Sequence, residues 1–250
     1  MTKQTPSTAP APSSVQMNSF EHGGIAVIIG ASGGIGRAFA QHLADTKQFS
    51  QIIGLSRSST PPLDLLDETS IEQCAGHIAR QQGDVRLVID ATGFLHNDDF
   101  QPEKTWRQID PASMAHNFAI NAIGPALLMK HFLPLLAKQG KSAFVTLSAR
   151  VGSIGDNHIG GWYGYRAAKA ALNQLVKTMA VELARKRRDA ICIALHPGTV
   201  DTGLSAPFAK SGLAVQTPQQ ATANMLNVIS LLTRDQSGGF FAYDGSSIQW

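Results

Sequence analysis

A glycine-rich turn, residues 30–36, stands between an apolar run and a helical stretch, and it restricts the fold more than any other feature. The apolar run, residues 25–29, is typical of a strand buried on both faces, and residues 37–46 have helical spacing. Glycines permit a sharp turn close to a pyrophosphate, and a helix N-terminus offers free N–H groups to phosphates. The pattern predicts a dinucleotide-binding strand–turn–helix unit. Its spacing, G-x-x-x-G-x-G, is not the standard G-x-G-x-x-G, and alone it is also compatible with a flexible loop.

Strands and helices alternate along the rest of the chain. Further strands are predicted at residues 51–55, 85–89, 143–147 and 191–195, with an edge strand at 240–243. Helices are predicted at residues 69–82, 113–138 (interrupted near Gly124 and Pro125), 165–187 and 217–232. This alternation predicts one α/β domain, residues 20–250, with a doubly wound parallel sheet covered on both faces. Residues 1–19 are rich in Pro, Ser, Thr and Ala and are predicted to form a disordered tail.

Composition excludes several classes of protein. Of 250 residues, only two are cysteines, far apart, which favours a reducing cytoplasm over a disulfide framework. The histidines have no metal-ligand spacing, so no metal is expected. No apolar run approaches the ~18 residues of a membrane span, so no membrane partner is expected. The net charge of +3 is no nucleic-acid signature, and we interpret the basic run at residues 185–188 as a helix end rather than a phosphate-binding patch.

Polar residues converge on one edge of the predicted sheet. Ser148 follows the fourth strand and Pro197 follows the fifth, at the strand ends where such sheets bind ligands. Tyr165 and Lys169 are four residues apart and share a helix face. A neighbouring ammonium is expected to lower the tyrosine pKa from about 10 towards the working pH of a general acid/base.

The residues after the second strand indicate which cofactor is bound. An acidic residue there would bind a ribose 2′-hydroxyl, whereas an arginine accommodates a 2′-phosphate. The chain has Ser56 and Arg57, which favours NADP(H) over NAD(H). The alternative is that Arg57 is an ordinary surface arginine.

Together, residues 30–36, Asn121, Ser148, Tyr165 and Lys169 resemble the short-chain dehydrogenase/reductase family over almost all of residues 20–250. Residues 121–125, 148–154 and 243–250 are similar to the C-factor-like branch. The resemblance implies a seven-stranded Rossmann-type domain. It implies that Tyr165 is the acid/base and that Ser148 positions the substrate oxygen. Lys169 would lower the tyrosine pKa and hold the ribose.

The resemblance also assigns the remaining site residues. Asn121 would interrupt its helix and bind a water in the proton relay. The implied cofactor-binding set is Gly30, Ser32, Gly33, Gly34, Ile35, Gly36, Arg57, Asp64, Leu65, Ala91, Gly93, Tyr165, Lys169, Pro197, Gly198, Val200 and Thr202.

Two segments depart from the family pattern. The family often has Asn-Asn-Ala-Gly after the third strand, but this chain has Asp90, Ala91, Thr92 and Gly93, so the asparagine contacts that steady the sheet are in doubt. The stretch between Ser148 and Tyr165 is longer than usual, and residues 156–161 are expected at the substrate mouth.

Other residues near the site have weaker support. His96 is interpreted as a loop histidine rather than a pocket residue. Trp106 and Trp162 are interpreted as packing residues, although Trp162 stands near the mouth.

The favoured function is an NADP(H)-dependent oxidoreductase acting on a small carbonyl or alcohol substrate. A rival is a nucleotide-binding signalling protein with little turnover. The substrate loop, residues 203–216, mixes small and apolar residues and suggests a partly apolar pocket, although Lys210 could reach an anion. The resemblance places the helices at residues 113–138 and 165–187 at subunit contacts, so a homodimer or homotetramer is expected.

Overall fold

The computed structural model describes residues 15–204 and 215–250. Its strands in chain order are β1 (Ile25–Ile29), β2 (Gln51–Leu55), β3 (Val85–Asp90), β4 (Ser142–Leu147), β5 (Ala190–His196), β6 (Thr199–Val200), β7 (Val215–Gln216) and β8 (Phe240–Ala242). Its helices are α1 (Gly34–Thr46), α2 (Glu68–Ala79), α3 (Pro111–Phe118), α4 (Gly124–Phe132), α5 (Tyr163–Lys186) and α6 (Pro218–Leu231).

The main sheet is parallel, in the order β2-β1-β3-β4-β5-β8, and β6 and β7 form a separate parallel pair. The predicted doubly wound α/β fold is confirmed, and β8 lies at an edge as expected. The resemblance implied seven strands, but the described residues place six in this sheet. Between β2 and α2 the chain carries Pro61 and Pro62, which have no N–H and cannot pair in a ladder.

Helices cover both faces of the sheet. Alternate strand residues point to opposite faces: Ile25 and Val27 belong to one buried cluster, with Phe132 of α4 and Leu172 of α5. Ile28 belongs to the other. This second cluster also contains Phe39 of α1 and Met225 of α6. The strands are therefore apolar on both sides, which is why they stand out as continuous apolar runs.

The long helical segment between β3 and β4 is interrupted at Asn121 and next to Gly124, as expected. It runs through α3, a π-helical turn at Ala119–Ile123, and α4. We expected the interruption near Gly124 and Pro125. Pro125 lies in the first turn of α4, directly after the π-helical turn, and because it lacks an N–H the carbonyl of Asn121 loses its α-helical donor. The irregularity therefore lies on the N-terminal side of the proline and contains Asn121.

By length and composition alone, the stretch Pro111–Leu135 could cross a membrane. In this structure it contributes Leu128, Met129 and Phe132 to the buried core.

Ordered packing begins before residue 20, the predicted start of the domain. Met17 is buried with Phe20 in the second cluster, and Val15 packs against it. Side chains from residues 15–19, within the predicted tail, thus pack against the domain. The reason is that apolar side chains at positions 15 and 17 find a place beside Phe20. The rest of the predicted tail, residues 1–14, lies outside the described residues.

Candidate active site

The glycine turn forms a cradle at the C-terminal end of β1. Gly30 has φ +82° and its N–H bonds to the carbonyl of Leu55, which joins the ends of β1 and β2. A methyl group on Gly36 would lie 2.2 Å from the Gly30 carbonyl oxygen, so a side chain cannot be accommodated there. Helix α1 begins directly after Gly33 and has no side-chain cap at its N-terminus. These features fit a dinucleotide pyrophosphate, which would meet bare backbone and helix N–H groups.

Other predicted cofactor residues border this cradle. Arg57 is exposed just beyond β2. Thr202 lies against the turn, since a methyl group on Gly34 would be 3.6 Å from its Cγ2. Leu65 packs closely against Gly124, and Asp64 accepts a hydrogen bond from the N–H of Leu66.

The segment after β5 closes the other side. Gly198 has φ +78°, Val200 is buried, and the carbonyl of Pro197 accepts from Gln216 Nε2 (3.3 Å). Next to it, His196 has a buried Nδ1 that finds no hydrogen-bond partner within residues 15–204 and 215–250. Burial lowers the pKa of His196 to about 4, Arg150 acting in the same direction and Asp244 opposing it.

Helix α5 presents Tyr165, Lys169 and Asn173 at successive four-residue intervals, and all three are buried. Lys169 Nζ donates to the carbonyl oxygen of Leu147 (2.8 Å) and lies 5.9 Å from the centre of the Tyr165 ring. The sharing of one helix face predicted for Tyr165 and Lys169 therefore holds in the structure.

Burial changes the acid–base properties of both residues. It lowers the pKa of Lys169 to about 8, while the charge of Asp90 acts in the opposite direction. It raises the pKa of Tyr165 above its ordinary value, the opposite of the predicted lowering by Lys169. The reason is that removing the phenol from water penalises the phenolate, and this outweighs an ammonium that is itself buried and bonded to Leu147.

Ser148 is held by a residue that the sequence reasoning missed. Its hydroxyl donates to Oδ1 of Asn173 (2.7 Å), and both side chains are buried. Asn173 Nδ2 lies 3.5 Å from the carbonyl of Gly152. The available signal was a polar residue four positions after Lys169, on the helix face that already carries Tyr165 and Lys169.

Asn121 sits in the π-helical turn and is fully buried. Its amide makes two hydrogen bonds to the backbone of Phe94, accepting from N–H (3.0 Å) and donating to C=O (2.8 Å). A methyl group on Gly93 would lie 3.6 Å from Asn121 Oδ1 and 3.9 Å from Lys169 Nζ. The structure thus brings Gly93, Asn121 and Lys169 together.

Asp90 occupies the position where the family often has asparagine, and it is fully buried. Its carboxylate accepts from the N–H (3.0 Å) and hydroxyl (2.5 Å) of Thr92 and from the hydroxyl of Thr146 in β4 (2.7 Å). Asp90 therefore links β3 to β4. Burial raises the pKa of Asp90, while the three hydrogen bonds from Thr92 and Thr146 and the charge of Lys169 act in the opposite direction.

Part of the predicted substrate loop, residues 205–214 with Lys210, lies outside the described residues. His96 Nε2 lies 3.3 Å from the carbonyl of Gly203 at the start of that loop. Within residues 15–204 and 215–250, no group of three or more His, Cys, Asp or Glu side chains is arranged to hold a metal.

A model of the short chain dehydrogenase family matches residues 24–212, and the chain belongs to this family of oxidoreductases. C-signal from Myxococcus xanthus is 36% identical over 142 residues, covering 57% of this chain and 81% of that protein. The 1-hydroxy-2-glutathionyl-2-methyl-3-butene dehydrogenase of Rhodococcus sp. (strain AD45) is 28% identical, covering 90% of this chain and 98% of the relative.

Among solved structures, the NADPH-bound carbonyl reductase from chicken fatty liver superposes with a TM-score of 0.80 at 25% identity, covering 92% of this chain and 95% of that one. The predicted family, its C-factor-like relative and the Rossmann-type fold are therefore confirmed.

Proposed function

We propose that the protein is an NADP(H)-dependent oxidoreductase that interconverts a small carbonyl compound and its alcohol, with Tyr165 as the general acid/base. The observation that carries this proposal is the grouping of Tyr165, Lys169, Ser148 and Asn121 beside the glycine cradle, at the C-terminal edge of the sheet. Such edges are where doubly wound sheets bind their ligands.

Different residues of the site would bind different parts of the cofactor. The turn at residues 30–36 would take the pyrophosphate, and Pro197, Gly198 and Val200 would face the nicotinamide. Lys169 Nζ uses one of its three N–H groups in the hydrogen bond to the carbonyl of Leu147, so two N–H groups are available to bind a ribose. A bound nicotinamide cofactor would supply hydride for carbonyl reduction and accept it for alcohol oxidation.

Tyr165 suits proton donation in the reductive direction. With an ordinary pKa of about 10, and a higher one when buried, the phenol holds its proton at neutral pH and can give it to the carbonyl oxygen as the carbon gains hydride. Ser148 would donate a second hydrogen bond to the developing oxyanion. To do so its hydroxyl must turn away from Asn173, to which it donates in this structure.

Arg57 supports the choice of NADP(H). It is exposed at the end of β2, beside the uncharged Ser56, where a ribose 2′-phosphate would be placed by the fold. The structurally similar chicken carbonyl reductase was determined with NADPH bound. Both cysteines are buried and free, which is compatible with the cytoplasmic location that we propose.

A homodimer or homotetramer is proposed as the assembled form. Ile123, beside α4, and Val181, on α5, are each at least half exposed, although the flanks of these helices pack in the core. Apolar side chains on the helices expected at subunit contacts favour association. Light scattering at micromolar concentration is expected to give at least twice the 26.6 kDa chain mass; a monomer would refute the assembly.

The catalytic proposal is tested by following NADPH absorbance across a panel of aldehydes, ketones and quinones. Consumption of NADPH with formation of the matching alcohol is expected for at least one class. A second candidate, a nucleotide-binding signalling protein, is favoured by the similarity to C-signal. Tight NADPH binding with no oxidation of NADPH across the panel would support that candidate and refute the proposed oxidoreductase function.

A further inference from the structure

The chain enters α5 through an unusual left-handed turn. Gly160, Gly161 and Trp162 have successive φ values of +71°, +68° and +54°. Glycine adopts this region freely, but a bulky residue with a Cβ is strained there. Trp162 is also the residue that precedes the first turn of α5, and its side chain caps no N–H group. A strained residue at this position calls for an explanation in the surrounding contacts.

Two charged side chains hold this turn in place. Glu103 is buried; its backbone carbonyl accepts from the N–H of Trp162 (2.5 Å) and its carboxylate accepts from the N–H of Gly164 (3.2 and 3.3 Å). The guanidinium of Arg166 donates to the carbonyls of Gly161 (3.0 Å) and Gly160 (3.2 Å) and to that of Val151 (3.2 Å). Glu103 also lies at the positive end of the α5 dipole, where a carboxylate is stabilised. The turn is therefore held from both sides.

The consequence of the turn is the position of the indole. The ring of Trp162 lies edge-on to that of Tyr165, with centres 6.1 Å apart and planes at 69°. Tyr165 is buried whereas Trp162 is half-buried, so the indole that contacts the phenol ring is itself partly open to solvent. Phe94 is also half-buried, and its backbone is bonded to Asn121. Glu103 and Arg166 direct their polar atoms at backbone groups, and the side chain that the turn places beside Tyr165 is the indole.

We propose that Trp162 is a specificity-determining residue and that its indole forms a wall for substrates carrying a flat aryl group next to the carbonyl. The proposal rests on the oxidoreductase function proposed above. An aryl ring can pack against the indole in offset or edge-on geometry, which contributes beyond the burial of area. A saturated ring of similar size lacks that contribution.

The test compares benzaldehyde with cyclohexanecarbaldehyde, which differ in flatness and little in size. The unmodified protein is expected to prefer benzaldehyde in kcat/KM by about 2- to 13-fold, the range of aromatic pair energies. Trp162→Ala is expected to lose this preference and Trp162→Phe to keep most of it. Trp106→Ala is the matched control, because Trp106 is 71% exposed, and it should change nothing.

A second variant tests the strain in the turn. Trp162→Gly removes the ring and places at φ +54° a residue that adopts that region freely. Relief of about 1 kcal/mol of strain raises the melting temperature of a chain of this size by about 2–4 °C. Trp162→Gly is therefore expected to melt about 2–4 °C above Trp162→Ala while sharing its lost aryl preference. Equal melting temperatures would overturn the strained turn.

Failure of the wall and failure of the enzyme proposal are separable. Calorimetry on the NADPH complex with the unreactive amides benzamide and cyclohexanecarboxamide reports the wall without turnover. Turnover of both aldehydes with equal kcat/KM, or an unchanged preference in Trp162→Ala, overturns the wall and leaves the oxidoreductase standing. Absence of turnover across the whole carbonyl panel, together with a benzamide preference that Trp162→Ala abolishes, supports the wall and refutes the oxidoreductase. Absence of both turnover and amide preference overturns both.

Discussion

Two lysines flank the same strand and have different surroundings. Lys141 precedes β4 and Lys169 is bonded to the last residue of β4, and burial lowers the pKa of each to about 8. Lys141 Nζ donates three hydrogen bonds, to Ser19 Oγ (3.0 Å) and to the carbonyls of Ile229 (2.9 Å) and Ser230 (2.7 Å). Lys169 Nζ makes one hydrogen bond to the described residues, to Leu147.

The same contrast extends to the two ends of the sheet. At the N-terminal end, buried Arg86 is paired with Glu21, with Asp84 (2.8 Å) and with the carbonyl of Gln139 (2.5 Å). At the C-terminal end, Lys169 keeps unused donors and Tyr165 has a raised pKa. A shifted pKa alone does not mark a functional site, since Lys141 has one too. A shifted pKa combined with spare hydrogen-bonding capacity, next to a ligand cradle, is the more informative signature.

Tyr165→Phe is expected to give the largest effect. It keeps the ring and removes the only proton donor at that position, so turnover should fall by about 10²- to 10⁴-fold or more while NADPH affinity stays nearly intact. Tyr163→Phe, two residues earlier on α5, is the matched control. Its turnover should stay within about 2-fold of the parent, far less than the effect of losing an acid–base residue. Initial rates and NADPH titrations check both variants. Rates within a few-fold of the parent for Tyr165→Phe would remove Tyr165 from the mechanism.

The paired lysines can be separated by alanine substitution. Lys169→Ala should weaken both turnover and NADPH binding, and should move the pH optimum of alcohol oxidation upward because the phenolate loses a positive neighbour. Lys141→Ala should leave kcat and KM nearly unchanged. It should lower the melting temperature, because two carbonyls at the end of α6 lose their donor at about 1–3 kcal/mol. Equal loss of activity in the two variants would contradict the assignment of Lys169, and not Lys141, to the active site.

Two exposed arginines extend the comparison to the cofactor. Charge-assisted hydrogen bonds contribute about 1.5–3 kcal/mol, so Arg57→Ala should reduce the preference for NADPH over NADH by about 10- to 150-fold. Arg188 is exposed near the opposite end of the sheet, and Arg188→Ala should not change the preference. Dissociation constants for the two cofactors decide the matter. An unmodified protein that binds both equally contradicts the assignment of Arg57.

Asp90→Asn is expected to give the smallest effect, a change in pH dependence. Asp90 raises the pKa of Lys169 against burial, so removing its charge should bring that pKa below about 8. The ammonium is then lost at lower pH, and the alkaline limb of kcat/KM for NADPH, which reports the free enzyme, should move to lower pH. Asp84→Asn, at the other end of β3, should leave the limb in place. A shift in the opposite direction, or none, would exclude the coupling between Asp90 and Lys169.

Much of the framework was predictable from local patterns. Residues 25–29 and 51–55 were predicted as strands with the bounds that the structure has. Residues 25–29 are buried on both faces and therefore form a continuous apolar run. The spacing of Tyr165 and Lys169 places them on one face by helix geometry alone. Two features were not predictable in this way. Met17 is buried by contacts with residues distant in the chain. The described part of the sheet has six strands rather than the seven implied, and Pro61 and Pro62 after β2 lack the N–H groups that a ladder needs, which periodicity does not register.

By itself, the sequence determined the alternation of strands and helices, the glycine cradle after β1 and the edge of the sheet at which the polar residues gather. Only the tertiary structure decided how those residues are held: Ser148 by Asn173, Asp90 by Thr146, and the start of α5 by Glu103. It also decided the direction of the Tyr165 pKa. The physical reason is common to all of these. Burial and hydrogen bonding depend on groups brought together from 25 to 61 residues apart, which local periodicity does not encode.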